Sequence, residues 1–114
     1  MHELSIAVSI LDAVEAQAVR RPEARFSKVG LRIGELSGID VDALNFSWQA
    51  ITIDTEFQKT ALEVEFCPRK HRCGQCGQEF EVHDYETDCP GCKNMATTCI
   101  SGEELDIAFM EVEE

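Results

Sequence analysis

The chain has 114 residues, of which 44% are apolar and 28% are charged, so it forms one small globular domain or one domain with a lesser module. Its 22 acidic and 10 basic residues give a net charge of −12, which disfavours nucleic-acid binding because that binding relies on basic residues. No apolar segment approaches the ~20 residues of a membrane helix, and the first residues lack the basic start of a signal peptide. We therefore expect a cytoplasmic protein without a membrane partner.

The first half of the chain predicts a helix, a strand and a second helix. Apolar residues recur every three or four positions over residues 4–19, which predicts an amphipathic helix that ends before Pro22. Its predicted apolar face consists of Leu4, Ala7, Val8, Leu11, Val14 and Ala18. Residues 26–33 alternate instead, which predicts a half-buried strand with Val29, Leu31 and Ile33 on one face. Asp40 is the predicted N-cap of a second helix that reaches about Asp54. Its apolar face is Val41, Leu44, Trp48 and Ile51.

Two further strands complete the main domain. Leu62, Val64 and Phe66 alternate with acidic residues in one of them. The other has its apolar positions at Leu105, Ile107 and Phe109. We therefore predict an α+β fold in which two helices cover one face of a three-stranded sheet, with a zinc-ribbon module inserted before the last strand. The predicted domains are residues 1–66 plus 100–114 and the ribbon of residues 67–99.

The inserted module is predicted from two Cys-x-x-Cys knuckles, Cys73–Cys76 and Cys89–Cys92. Four thiolates at this spacing match the tetrahedral ligand set of structural zinc, which has no open position for catalysis. The segment between the knuckles, residues 78–88, alternates well enough to predict a short hairpin. A disulfide framework and a rubredoxin-like iron site are the alternatives, but a reducing compartment and the short distance between the knuckles favour zinc.

Other cysteine and histidine residues of this region carry weaker signals. Cys67 and Cys99 flank the ribbon and are interpreted as free thiols, as a reversible pair or, with more support, as small buried apolar residues. His71 lies two positions before Cys73 in a basic stretch and could replace a cysteine as ligand, but we expect it at the solvated edge of the ribbon. His83 also belongs to this region. Phosphate loops, nucleophile elbows and the His-Glu-x-x-His motif do not occur, so we do not expect an enzyme.

The N-terminal sequence Met1-His2-Glu3 has the chemistry of a chelator. The terminal amine, the His2 amide nitrogen and the His2 imidazole can close fused rings around one metal ion. A planar set of nitrogen ligands favours Ni(II) or Cu(II) over zinc. An early histidine without a metal role is the alternative.

Three motifs, in this order and at this length, resemble the HypA/HybF family of nickel-insertion accessory proteins. They are Met1-His2-Glu3-Leu4-Ser5, the segment of residues 31–38 (LRIGELSG) and the two knuckles. The resemblance covers essentially the whole chain, and the ending from Glu104 to Glu113 also fits it.

The resemblance implies a nickel metallochaperone that serves [NiFe] hydrogenase maturation. It implies that His2 binds Ni(II) in the main domain, with Met1 and the backbone nitrogens of His2 and Glu3 completing the set. The Glu3 carboxylate would shape that site. Structural Zn(II) would be held by Cys73, Cys76, Cys89 and Cys92. The implied partners are a nickel-handling GTPase accessory protein and the hydrogenase large-subunit precursor. The alternative function is a zinc-ribbon adaptor, or a nucleic-acid-binding module, without a nickel role.

Overall fold

The computed structural model describes residues 2–113 and confirms the α+β architecture. Its helices and strands are, in chain order, α1 Glu3–Arg20, β1 Arg25–Gly34, the 3₁₀ turn Glu35–Ser37, α2 Val41–Thr52, β2 Ala61–Cys67, β3 Lys70–Cys73, β4 Glu79–Glu81, β5 Thr97–Ser101 and β6 Leu105–Glu113. They form one sheet of order β2-β1-β6 and another of order β4-β3-β5.

The chain divides into two compact units. The first, called here the helical unit, comprises Met1–Arg32, Gly38–Glu65 and Asp106–Glu114. The second, called here the cysteine unit, comprises Ile33–Ser37 and Phe66–Leu105. The domain limits predicted from the sequence, together with the metal assigned to each domain, stay a prediction.

The helical unit is built on α1 packed against α2. Asp40 is the predicted N-cap of α2, and its carboxylate accepts hydrogen bonds from the backbone N–H of Asp42 (2.9 Å) and Ala43 (3.2 Å). Leu44 and Trp48 of α2 are buried as predicted. The Trp48 indole N–H donates to the Thr60 carbonyl oxygen at 2.8 Å, which fixes the loop after α2. The predicted strand face is also buried, since Val29, Leu31 and Ile33 are all less than 5% exposed.

The predicted apolar face of α1 is wrong at its start. Leu4 and Val8 are 52% and 43% exposed, whereas Ile6 and Ile10 are buried together with Ala7 and Val14. The apolar residues of α1 occupy more than one stripe, so the three-and-four spacing alone did not decide which stripe meets α2 and the sheet.

The predicted alternation holds in β2 for the half-buried Leu62 and Val64, but it fails at Phe66 and at two positions of β6. Phe66, predicted on the apolar face of β2, is 57% exposed, and the next residue, Cys67, is buried. In β6, Leu105 is 36% and Phe109 44% exposed. The Phe109 ring occupies the space where a side chain at Gly30 would lie, so the absent Cβ of Gly30 is what admits it.

The cysteine unit is a three-stranded ribbon, but its hairpin is not the predicted one. Residues 78–88 contribute a single strand, β4, which pairs antiparallel with β3 in the register His71 opposite Phe80. The first knuckle is therefore the turn between β3 and β4. Local hydrogen bonds form this turn: the Cys73 N–H donates to the Gln78 carbonyl oxygen (2.9 Å), and the Gly77 N–H donates to the Cys73 carbonyl oxygen (3.1 Å).

The segment of residues 33–37, from the LRIGELSG motif, belongs to the cysteine unit. The N–H groups of Gly34 and Leu36 donate to the carbonyl oxygens of Glu104 and Gly102, each at 2.7 Å. A side chain on Gly34 would overlap the Gly102 backbone. The Glu35 carboxylate accepts the Arg69 N–H at 3.1 Å. This segment is therefore hydrogen-bonded to the residues that precede β3 and follow β5.

Candidate metal sites

The four knuckle cysteines converge on one point. Their sulfur atoms all lie within 4.8 Å of one another, and they form the only cluster of three or more metal-binding side chains within residues 2–113. Cys73 Sγ lies 3.5 Å from Cys92 Sγ, and Cys76 Sγ lies 3.6 Å from Cys89 Sγ. A zinc ion with Zn–S bonds of about 2.3 Å sets the edge of its sulfur tetrahedron at about 3.8 Å, so the spacing suits zinc.

The two knuckles have the same backbone geometry. In the second knuckle the Cys89 N–H donates to the Asn94 carbonyl oxygen and the Lys93 N–H donates to the Cys89 carbonyl oxygen, both at 2.9 Å. These bonds repeat those made by Cys73 in the first knuckle. The residue after each second cysteine, Gly77 or Lys93, has a positive φ of 77° or 66°. The turns aim both cysteines of each knuckle at the same point.

The first cysteine of each knuckle is buried and the second is exposed. The backbone N–H groups of Cys76 and Gln75 donate to Cys73 Sγ and lower the pKa of that thiol to about 6. The N–H groups of Cys92 and Gly91 likewise lower the pKa of Cys89.

The exposed thiols behave in the opposite way. The Gln78 N–H lowers the pKa of Cys76, but the adjacent Cys89 sulfur and desolvation outweigh it, so that the pKa rises. At Cys92 the Asn94 N–H is likewise outweighed by the Cys73 sulfur, and the pKa rises to about 12. Four sulfurs this close cannot all ionise without a cation. The donor set and its spacing thus fit a divalent, thiolate-binding ion, and structural zinc is the ion that such a set holds.

His71 does not lie where the sequence predicted. It is 6% exposed, in the central strand of the ribbon, rather than at a solvated edge. Its ring lies 6.3 Å from the Phe80 ring, centroid to centroid, and Cys99 is its neighbour on β5. Burial, and secondly the Arg69 charge, lower the pKa of His71. The pairing of three strands, which local sequence does not reveal, buries this ring.

Both ring nitrogens of His71 are engaged within the protein. Arg69 Nε donates to His71 Nε2 at 3.3 Å, so Nε2 is an acceptor and the ring proton resides on Nδ1. Nδ1 then donates to Thr97 Oγ1 at 2.9 Å, and the Thr97 hydroxyl donates to the Thr87 carbonyl oxygen at 2.6 Å. This relay leaves His71 no lone pair for a metal, and sequence reasoning missed its members Arg69 and Thr97.

The remaining candidates near the ribbon are separate from the cluster. His83 is exposed and is not part of the four-sulfur group. Cys67 is buried and Cys99 is half-buried, and neither forms a disulfide. Cys99 Sγ donates to the Ser101 carbonyl oxygen at 3.3 Å.

The N-terminal candidates lie at the start of α1. His2 is the N-cap residue of α1 and is exposed, and its side chain makes no capping hydrogen bond. The Glu3 carboxylate accepts the Asp40 N–H at 3.1 Å, which lowers the pKa of Glu3 and joins the start of α1 to the N-cap of α2. Met1, the third predicted nickel ligand, lies outside the described residues. Sequence reasoning missed the Glu3–Asp40 contact, which spans two helices far apart in the chain.

A comparison with protein families identifies the chain. The family described as "Hydrogenase/urease nickel incorporation, metallochaperone, hypA" matches residues 1–112. The chain belongs to the HypA family. Curated HypA-family relatives cover it almost completely. The hydrogenase maturation factor HypA of Pelodictyon phaeoclathratiforme is 40% identical over 100% of this chain and 97% of its own length. That of Geobacter metallireducens is also 40% identical, over 99% of this chain and 100% of its own length.

Solved HypA structures share the fold. One, described as the solution structure of HypA protein, has a TM-score of 0.72 at 19% identity and covers 99% of this chain and 97% of its own. The Ni metallochaperone HypA from Helicobacter pylori has a TM-score of 0.62 at 20% identity and covers 97% of each chain. Among the described residues, every helix is too short or too polar to span a membrane.

Proposed function

We propose that this chain binds Ni(II) at its N-terminus and delivers it to the large-subunit precursor of a [NiFe] hydrogenase, while a structural zinc ion holds the cysteine unit together. The observation that carries this proposal is the match of the HypA family to residues 1–112. The exposed His2 side chain supports it locally, because an exposed imidazole that makes no capping hydrogen bond is available to a metal.

The start of α1 suits a nickel site made of nitrogen atoms. The first N–H groups of a helix have no carbonyl acceptor within that helix. The backbone nitrogens of His2 and Glu3 are therefore not required for α1, whose first bond described here runs from the Ile6 N–H to the His2 carbonyl oxygen (3.3 Å). The Met1 amine, these two nitrogens and the His2 imidazole together form a set that favours Ni(II).

Glu3 supports this site through its carboxylate. By accepting the Asp40 N–H, it holds the segment that follows His2 against the N-cap of α2. The start of α1 is thereby attached to the start of α2, and the His2 side chain is left to bind the metal. Glu3 contributes its backbone nitrogen to the ion and acts through its side chain as a positioning residue.

The zinc ion is proposed at Cys73, Cys76, Cys89 and Cys92. When bound, it supplies charge neutralisation for four thiolates and cross-links the two knuckles. Four sulfur ligands leave no open coordination position, so this zinc has a structural role and catalyses no reaction. The proposed role of the protein is to hold and transfer nickel.

The partners follow from this role. We place the protein in the cytoplasm, where a nickel-handling GTPase accessory protein and the hydrogenase large-subunit precursor are its expected contacts. Nucleic acid is not among them, because the net charge of −12 opposes phosphate binding.

Complementation tests the proposed function. In a hydrogenase-producing strain that lacks its own HypA-family gene, grown with limiting nickel, the unmodified chain restores hydrogenase activity. The His2→Ala variant does not, and the matched control His83→Ala does. Excess nickel restores activity to the His2→Ala strain. If His2→Ala matches the unmodified chain in limiting nickel, the N-terminus has no nickel role and the adaptor function takes its place.

A further inference from the structure

Each knuckle is followed by a residue whose side-chain amide lies close to a cysteine of the other knuckle. Gln78 and Asn94 occupy equivalent positions, since the carbonyl oxygen of each accepts the N–H of the first cysteine of its own knuckle at 2.9 Å. The side chain of each residue instead approaches the first cysteine of the opposite knuckle. Asn94 Nδ2 lies 3.7 Å from Cys73 Sγ, and the Gln78 amide oxygen Oε1 lies 3.8 Å from Cys89 Sγ.

We infer that Gln78 and Asn94 form a reciprocal clamp, in which each amide donates a hydrogen bond to the buried thiolate of the opposite knuckle and thereby tunes the metal affinity of the four-cysteine site. This inference deepens the proposed zinc site and rests on it. The amides of Gln78 and Asn94 are positioning residues, because they act on the ion through Cys73 and Cys89.

The direction of the Gln78 hydrogen bond follows from charge. A thiolate accepts hydrogen bonds and cannot donate one. The oxygen and nitrogen of a carboxamide exchange places by a half rotation, and their assignment rests on the hydrogen-bond network. With Cys89 ionised, Gln78 therefore turns its Nε2 toward the sulfur. Asn94 already presents Nδ2 to Cys73.

Neighbouring residues leave space for the Gln78 amide and hold the Asn94 amide in place. A side chain at Gly91 would overlap Gln78 Oε1, so glycine at this knuckle position admits the amide. Asn94 is held at its other end, where Oδ1 accepts the Ala96 N–H at 3.1 Å. The Ala96 carbonyl oxygen in turn accepts the Gly74 N–H of the first knuckle at 3.0 Å. Both amides are thus built into contacts that join the two knuckles.

The chemical consequence is selective. The two amides are directed at the buried cysteines Cys73 and Cys89, and the exposed Cys76 and Cys92 receive no hydrogen bond from them. Hydrogen bonds from outside the ligand set orient the ligands, and their loss typically weakens metal binding by 10–100-fold.

The test compares three variants of the full-length protein. Gln78→Met removes one amide at similar size, and Asn94→Asp removes the donor but keeps an oxygen for the Ala96 N–H. Gln49→Met is the matched control, because Gln49 is an exposed glutamine of α2, outside the cysteine unit. Zinc content, zinc affinity in competition with a chromophoric chelator and the thiolate-to-metal charge-transfer band of the Co(II)-substituted protein are measured.

We expect one zinc per chain in the unmodified protein. Gln78→Met and Asn94→Asp bind zinc about 10–100-fold more weakly and shift the charge-transfer band to lower energy, because a thiolate without its N–H donor is a better electron donor. Gln49→Met leaves both the affinity and the band unchanged. Weakened affinity with an unshifted band would reduce the amides to a structural role and overturn the clamp, as would variants that match Gln49→Met. An unmodified protein that holds no zinc would instead overturn the proposed zinc site itself.

Discussion

Replacing Thr97 by valine interrupts the hydrogen-bond relay of the cysteine unit without changing side-chain shape. The substitution removes the hydroxyl that accepts from His71 Nδ1 (2.9 Å) and donates to the Thr87 carbonyl oxygen (2.6 Å). His71 cannot recover by moving its proton to Nε2, because Nε2 accepts from Arg69 Nε. A buried donor is therefore left without an acceptor.

The size of the effect follows from burial. His71 is only 6% exposed, so an unsatisfied Nδ1–H costs about 2 kcal/mol. Thr87 is half-buried and its carbonyl oxygen is open to partial compensation by water, which adds less than about 1 kcal/mol. We expect Thr97→Val to lower the free energy of unfolding of the cysteine unit by about 2–3 kcal/mol.

The assay is urea unfolding of the zinc-loaded protein, followed through the backbone amide NMR signals of β3, β4 and β5. Thr98→Val is the matched control, because Thr98 is the next residue on β5 and is exposed. Its effect is expected to stay within about 0.5 kcal/mol. Nitrogen NMR of the His71 imidazole in the unmodified protein is expected to show the ring proton on Nδ1. Equal midpoints for the two variants, or a proton on Nε2, would refute the relay.

Three other predictions concern packing, pH and metal removal. Gly30→Ala displaces the Phe109 ring and lowers the free energy of unfolding of the helical unit by about 1 kcal/mol, measured by thermal unfolding. In a Phe109→Ala background the same substitution costs less, because the ring is absent. Equal costs of Gly30→Ala in the two backgrounds would contradict the contact. The Arg32 guanidinium, 2.9 Å from Asp106, holds the pKa of Asp106 below its ordinary value. The pair therefore stabilises the fold fully at pH values above the ordinary pKa of an aspartate, and this contribution is lost as the pH falls through the lowered pKa. Arg32→Met therefore raises the Asp106 titration midpoint measured by carboxyl-carbon NMR, and an unchanged midpoint would disprove this cause. Removing zinc with a chelator abolishes the amide-exchange protection of β3, β4 and β5 but not that of α1 and α2; loss in both units would show that they do not fold separately.

The features predicted correctly from the sequence depend on short-range chemistry. The four cysteines converge because each Cys-x-x-Cys pair is shaped by its own turn, as the hydrogen bonds around Cys73 and Cys89 show. Asp40 caps α2 through N–H groups two and three residues away. The buried face of β1 follows from alternation within one strand.

The features predicted wrongly depend on contacts between distant segments. His71 is buried because β3 lies between β4 and β5, which its basic neighbours in the sequence do not indicate. The Phe109 ring lies at Gly30 on another strand, and so departs from the simple alternation of β6. The amides of Gln78 and Asn94, for which no prediction was made from the sequence, each approach a cysteine of the other knuckle, and the spacing within one knuckle does not indicate such a contact.

The measurement that tests the central claim most directly is a calorimetric titration of the zinc-loaded protein with Ni(II), without an affinity tag and with a free N-terminus. His2→Ala and His83→Ala are run alongside it. We predict that the unmodified chain and His83→Ala each bind one nickel ion with no loss of zinc, and that His2→Ala shows no measurable binding. Equal nickel binding by His2→Ala and the unmodified chain, or nickel uptake only as zinc is released, would contradict a separate carrier site at the N-terminus.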